Sequence, residues 1–99
     1  MSEEVFAAAI EAHVNSFPLQ DTARGQFSLG GRIIDAVRDR LSTIGDGVSD
    51  EIKNSLLNAA MMVYDKFNFP QIPDVVELPI KTYVRPILES LLKQLLRIA

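Results

Sequence analysis

The sequence lacks cysteine and tryptophan and contains a single histidine, His13. Without cysteine there are no disulfides, no thiolate metal ligands and no cysteine nucleophiles. One histidine leaves no second imidazole for a metal site, and no serine lies in a G-x-S-x-G elbow. Because His13 falls at the edge of an apolar stripe, we interpret it as a boundary residue. The sequence therefore offers no recognisable catalytic constellation, and no cofactor or small-molecule substrate is indicated.

Long uncharged runs are also missing. The most apolar stretch, residues 80–99, carries five charged side chains, so it is too polar to cross a bilayer as a lone helix. The net charge of −3 makes the chain acidic and counts against nucleic acid as a partner. The start Met1-Ser2-Glu3-Glu4 lacks the basic residues and apolar run of a secretory signal, so we expect a cytoplasmic protein.

The composition is that of a folded globular domain. The chain has 99 residues, of which 47% are hydrophobic and 23% charged, which fits one helical domain over residues 1–99. Apolar residues recur at spacings of three and four, which predicts amphipathic helices. We predict an all-α, bundle-like domain of about four such helices, over residues 2–17, 29–44, 50–67 and 79–98.

Helix boundaries are indicated most clearly in the middle of the chain. Ser28 and Ser49 are predicted to cap the second and third helices, and Gly45 is predicted to end the second in a left-handed conformation. The short link that follows Gly45 places these helices side by side as an antiparallel hairpin. The polar segment 18–27 and the proline-containing segment 68–73 are predicted to be long connections whose role is undefined.

Two interpretations compete for residues 75–85. In the first, the last helix runs from Pro79 to Ile98 and is kinked at Pro86, which has no N–H to donate to the helix. In the second, residues 76–84 alternate as a strand and the helix begins at Pro86. We prefer the helix, because no other segment offers a strand partner. The residues Asp74 to Glu77 also fit a capping box.

The last helix is the one segment with more apolar surface than a small bundle needs. Its charged residues repeat every fourth position as a ridge, opposite a stripe that includes Ile87 and Leu91. Leu92 and Leu96 fall beside the ridge, outside that stripe, and we expect them to remain uncovered. The predicted interaction surface has Leu88, Leu92, Leu95 and Leu96 as anchors and Arg85, Lys93 and Arg97 as rim charges.

These patterns lead to a hypothesis of a small, non-enzymatic protein-interaction or oligomerisation module that acts through its C-terminal helix. The partner is another copy of the chain or a different protein. A first alternative is a peripheral membrane protein that uses the same helix, since residues 80–99 hold four cations and one anion. A second alternative is a carboxylate-metal enzyme at Asp35 and Asp39, which share one helix face. The arginines around these two residues favour ordinary ion pairs instead.

Two adjacent glycines, Gly30 and Gly31, stand near the predicted start of the second helix. They resemble a phosphate-binding loop only faintly, because the lysine and preceding strand of a P-loop are missing. We interpret them as residues that let the second helix start close to a neighbour.

Overall fold

The computed structural model describes residues 3–16, 23–67, 69 and 72–98. These residues form four helices, α1 (Glu3–Asn15), α2 (Ala23–Ile44), α3 (Asp50–Lys66) and α4 (Asp74–Leu96), and contain no strand. The predicted all-α fold class is therefore confirmed.

Helices α2 and α3, the middle two in sequence, each contact all of the other helices. Helices α2 and α3 contact each other as the predicted hairpin, α1 packs on both, and α4 also packs on both. Within the described residues α1 and α4 do not touch. The shared core is drawn from all four helices, and its largest fully buried apolar side chains include Phe6, Ile10, Leu29, Ile33, Leu56, Tyr64, Leu88, Leu92 and Leu96.

The link between α2 and α3 has the predicted chemistry. Gly45 has a φ of +85°, in the left-handed region that ends helices, and Gly47 has a φ of +77°. The Ser49 hydroxyl accepts a hydrogen bond from the Ile52 amide at 3.2 Å, which caps α3. Helix α3 ends at Lys66, one residue before the predicted end.

Helix α2 begins at Ala23, earlier than the predicted start at Leu29. Ser28 is inside this helix and donates its hydroxyl to the Arg24 carbonyl at 3.0 Å, so its predicted role as N-cap is wrong. The physical reason lies at Gln26, which is fully buried and donates its amide to the Glu77 carbonyl at 3.0 Å. This tertiary contact stabilises a turn that the polar sequence does not predict. Residues 18–22 of the predicted connection, and residues 2 and 17 at the ends of the predicted first helix, lie outside the described residues.

Helix α4 begins at Asp74, so both predicted starts, at Pro79 and at Pro86, are wrong. The N-cap is Pro73, which makes no side-chain capping bond, so the predicted capping box at Asp74 is wrong as well. The helix continues through both internal prolines to Leu96. The kink at Pro86 stays a prediction. In the preceding connection, the buried Phe69 and Ile72 fall on described positions, whereas residues 68, 70 and 71 lie outside them.

None of the helices in the described part of the chain combines the length and the apolar character needed to cross a membrane.

Candidate functional site: an apolar groove between α2 and α4

The face of α4 that packs on the chain is not the predicted one. Leu92 is fully buried and Leu96 is 2% exposed, so the expectation that these two leucines remain uncovered is wrong. Ile87 and Leu91, which the pattern assigns to the core stripe, are instead 44% and 43% exposed. The observed core line follows every fourth residue and consists of Val84, Leu88, Leu92 and Leu96, with Leu95 half-buried beside it. The predicted leucine anchors therefore contact their own chain.

In this orientation of α4 the charged ridge contacts α3 and the residue that follows it. The Arg85 guanidinium donates from Nε and Nη2 to the two carboxylate oxygens of Asp65 on α3, at 2.9 and 3.0 Å. Lys81 Nζ donates to the Phe67 carbonyl at 3.1 Å, just beyond the end of α3. The ridge thus joins α4 to its own chain, and the side chains beside it are drawn inward. In a sequence, charges that pair between helices look the same as charges that face water.

Ion pairs continue along the ridge. Lys81 lies 3.4 Å from the buried carboxylate of Glu77, and Glu89 pairs with Arg85 at 3.6 Å and with Lys93 at 3.5 Å. The hydrogen bonds from Arg85 to Asp65, and then the charge of Asp65, raise the pKa of Arg85. Two of the three predicted rim charges, Arg85 and Lys93, are therefore engaged within the ridge.

The exposed side of α4 away from the ridge carries no charge between Val75 and Gln94. Within that range the most exposed charged side chains are those of Arg85, Glu89 and Lys93, which lie on the ridge and are 36–45% exposed. The exposed residues away from the ridge are uncharged and mostly apolar, namely Val75, Val76, Leu78, Pro79, Thr82, Tyr83, Pro86, Ile87, Ser90, Leu91 and Gln94. A helix face in contact with water normally carries charged side chains, so this distribution is typical of a surface that another molecule covers.

An apolar groove lies beside this face, between α2 and α4. Gln26 meets Glu77 and Gly30 lies near Val84 and Leu88, so the two helices run in the same direction. A Cβ added at buried Gly30 would sit 3.8 Å from Val84 Cγ1, an ordinary packing distance. The groove has a volume of about 280 Å³ and is lined by Phe27, Gly30, Gly31 and Ile34 of α2 and by Val84, Ile87, Leu88 and Leu91 of α4.

The groove is open towards solvent. Phe27 is 52% exposed at one end, and a Cβ added at Gly31 would meet no neighbouring atom within 4 Å in the described part of the chain. Gly30 therefore faces α4 from the interior of α2 and has room for a Cβ, so the predicted close approach does not require a glycine there. A Cβ at Gly31 would meet no described residue. No feature of the sequence identifies Phe27 or Gly31 as part of a surface, because their position depends on how α2 and α4 meet.

The candidate carboxylates, Asp35 and Asp39, are both exposed on α2. Asp35 Oδ1 pairs with Arg38 at 3.5 Å, and both side chains are largely exposed. Among the described residues, no group of three or more histidine, cysteine, aspartate or glutamate side chains gathers in a way that could hold a metal ion. His13 lies exposed in the last turn of α1. The described residues therefore form an exposed apolar groove, and they place no third acidic or histidine ligand beside Asp35 and Asp39.

Three buried polar atoms lack a hydrogen-bond partner within the described residues. They are the Tyr64 hydroxyl, Gln26 Oε1 and Arg40 Nε. Burial raises the pKa of Tyr64 above 10.0, and the negative charge of Asp65 adds to this effect. Tyr64 contributes to the core of α3 and does not line the groove.

No known family model matches this chain, and neither the curated proteins nor the solved structures include one that is significantly similar to it.

Proposed function

We propose that this chain is a non-enzymatic interaction module whose groove between α2 and α4 binds an apolar surface of a protein chain. The observation that carries the proposal is the uncharged exposed side of α4, which continues the apolar lining of the groove. Charged residues are depleted and aromatic residues enriched at the centre of protein interfaces. Phe27 supplies the aromatic residue at this groove.

The energetics favour burial of this surface. Fully burying a leucine, isoleucine or phenylalanine side chain contributes roughly 1.5–3 kcal/mol. Phe27, Ile87 and Leu91 are each about half exposed, so a partner that covers them recovers about 1 kcal/mol or more at each. Three such side chains around one groove form a cluster of the kind that anchors interfaces.

The membrane alternative has less support from the charges on α4. Attraction to an anionic lipid surface needs free cations. Lys81, Arg85 and Lys93 each pair with an acidic side chain of the same chain, so of the four cations in residues 80–99 only Arg97 is not in one of these pairs. The described lining of the groove contains no cation. A protein surface that is itself apolar and neutral fits the groove better.

Site-specific photo-crosslinking tests the proposal in living cells of the native host. A benzoyl-phenylalanine at position 27, where an aromatic side chain already stands at the groove, is compared with one at Met62, an exposed residue of α3. We expect a covalent adduct with a protein of defined mass from position 27 and none from position 62.

Two further variants make this experiment specific. Leu91→Glu places a charge in the groove, whereas Leu78→Glu places one on an exposed apolar residue of α4 outside it. The adduct from position 27 should disappear with Leu91→Glu and persist with Leu78→Glu. Adducts of equal yield from positions 27 and 62, or no protein adduct at all, would overturn the proposed function.

A further inference from the structure

We infer that the first half of α4 opens away from the chain while the second half stays packed on the core. Residues 74–85 are called the opening segment below, and residues 86–96 are called the docked segment. Pro86 marks the boundary between them. The inference concerns a movement of the chain itself, so it goes beyond the proposed function and does not depend on what the groove binds.

The two segments are held in different ways. The docked segment buries three leucines, Leu88, Leu92 and Leu96, each of them 2% exposed or less. In the opening segment only Glu77 and Val84 are buried, and Val84 lies at its end. Its other large apolar side chains are partly or largely in water, namely Ile80, Val75, Val76, Leu78 and Tyr83. Few buried apolar contacts are typical of the parts of a protein that open at the lowest free energy.

Polar contacts hold the opening segment instead. Gln26 donates its side-chain amide to the Glu77 carbonyl at 3.0 Å. Lys81 Nζ lies 3.4 Å from the Glu77 carboxylate and donates to the Phe67 carbonyl at 3.1 Å. A buried polar group is costly when its partner leaves, so contacts that share members are lost together. Glu77 and Lys81 each take part in two of these three contacts, which are called the latch below.

Pro86 is suited to be the first residue of a shorter helix. Proline has no N–H, so within α4 the Thr82 carbonyl receives no hydrogen bond from position 86. Proline is favoured in the first turn of a helix and disfavours helical conformation in the residue before it. The helix start at Pro86, which the sequence pattern offers as an alternative, corresponds on this inference to the open form of α4.

The latch places the boundary at Pro86 and not at Pro79. Both prolines are inside α4, but Lys81 of the latch lies after Pro79, so an opening that breaks the whole latch extends past it. The last contact before Pro86 is the pair between Arg85 and Asp65. Both of these side chains are about half exposed, so solvent weakens their interaction.

The opening segment also forms part of the groove. Val84 belongs to this segment, and it lines the groove together with residues of the docked segment. When the segment opens, Val84 leaves the lining. A partner that contacts Val84 in the groove therefore favours the closed form, because a ligand shifts an equilibrium towards the conformation that it binds better. This consequence, unlike the opening itself, depends on the proposed function.

Hydrogen exchange followed by NMR separates the two segments. The helical hydrogen bonds of amides 83–85 lie inside the opening segment, whereas those of amides 90–93 lie inside the docked segment. After correction for intrinsic rates, amides 83–85 should exchange about a hundredfold faster than amides 90–93. Their exchange should also depend less on denaturant, because opening one segment exposes less surface than unfolding the chain.

Leu92→Ala distinguishes opening of the segment from unfolding of the whole chain. Leu92 is packed in both the closed and the open form, so its loss destabilises both equally and lowers only the free energy of global unfolding. Exchange of amides 90–93 should become about a hundredfold faster, while amides 83–85 stay within about twofold of the wild type. Leu92→Val, with an expected effect of about tenfold on amides 90–93, replaces it if the alanine variant does not fold.

Lys81→Met tests the latch. This substitution keeps the aliphatic stem and leaves the buried Glu77 carboxylate without its cation. Exchange of amides 83–85 should become about tenfold faster. Lys93→Met is the matched control, because it removes a half-exposed pair with Glu89 in the docked segment and should change the same rates by less than about twofold.

Three results would contradict these expectations. Equal exchange of the two groups of amides in the wild type, or equal acceleration of both groups by Leu92→Ala and Leu92→Val, would overturn the inference, since α4 would then open only when the whole chain unfolds. Equal effects of Lys81→Met and Lys93→Met on amides 83–85 would overturn the role of the latch. None of these results affects the photo-adduct at position 27, so the proposed function stands or falls separately.

Discussion

Helices α3 and α4 both pack on the rest of the chain, but their outer sides differ. The exposed residues of α3 are polar or charged apart from Met62, whereas those of α4 from Val75 to Gln94 are uncharged away from the ridge that holds Arg85, Glu89 and Lys93. The charged residues of α4 lie instead along its boundary with α3, where Arg85 binds Asp65. The outer side of α3 is therefore that of an ordinary surface helix. Helix α4 has apolar side chains both towards the core and towards solvent, separated by the charged ridge. The difference shows that the number of charges on a helix does not identify the side that faces water.

The sharpest test of this comparison uses two adjacent leucines of α4. Leu92 is fully buried and Leu91 is 43% exposed, so Leu92→Ala should lower the free energy of unfolding by about 3 kcal/mol and Leu91→Ala by roughly 1 kcal/mol or less. Urea denaturation at low micromolar concentration, followed by circular dichroism, measures both. Equal losses would mean that α4 presents a different face to the core.

A smaller effect, of opposite sign, is expected on the groove side. Gly31→Ala should raise the free energy of unfolding by about 0.5–1 kcal/mol, because the position is in a helix interior and its Cβ meets only open space. Gly30→Ala should also stabilise, since its Cβ would meet Val84 and Leu88 at ordinary distances. Thermal denaturation of dilute protein tests both substitutions. A lower free energy of unfolding for Gly31→Ala would show that other atoms of the same chain fill the groove beside Gly31.

The contact between α3 and α4 can be weakened at Asp65. Removing its charge with Asp65→Asn should lower the free energy of unfolding by about 0.5–1 kcal/mol, since the two-pronged pair with Arg85 is about half exposed. Asp39→Asn, a change at an exposed carboxylate of α2, is the matched control. Chemical denaturation at low salt and at high salt provides the measurement. The loss of unfolding free energy caused by Asp65→Asn should be smaller at high salt. A loss that does not depend on salt would argue against an electrostatic interaction between Asp65 and Arg85.

The smallest expected effect concerns Tyr64 on the buried side of α3. Burial first, and the Asp65 charge second, raise the pKa of Tyr64 above 10.0. Above pH 10 the unfolded chain therefore loses this proton before the folded chain does, so stability is retained below pH 10 and falls as the pH rises further. In a Tyr83→Phe background, absorbance near 295 nm should show the remaining tyrosine ionising above pH 10.

The matched variant Tyr64→Phe should weaken this alkaline loss of stability. Near neutral pH it should change the free energy of unfolding little, because the hydroxyl has no hydrogen-bond partner within the described residues. If Tyr64→Phe leaves the dependence of stability on alkaline pH unchanged, the loss of stability above pH 10 is due to other ionisable groups.

Local signals predicted much of the fold. The capping serine Ser49 and the left-handed Gly45 act within a few residues of their own position, so the sequence identifies them directly. The start of α2 was missed because it depends on Gln26 reaching the Glu77 carbonyl, 51 residues away. No local sequence pattern around Gln26 indicates that contact.

The sequence predicted which helix carries the candidate site, but not which residues of that helix are exposed. The surplus of apolar residues on α4 indicated correctly that some would remain exposed. Periodicity defined two possible stripes, one with Leu91 and one with Leu92, but could not decide which of them α2 and α3 would cover. In the structure the Leu92 stripe is covered and Arg85 pairs with Asp65, and both contacts are visible only when the helices are placed.

The buried amide of Gln26 has a consequence for how the domain comes apart. Its hydrogen bond joins the first turns of α2 to the first turns of α4, although both starts follow long connections. If either start unwinds, the other loses the partner that keeps a buried polar group satisfied. The two helix beginnings therefore open as one cooperative unit, and their backbone amides should exchange with deuterium at a common rate.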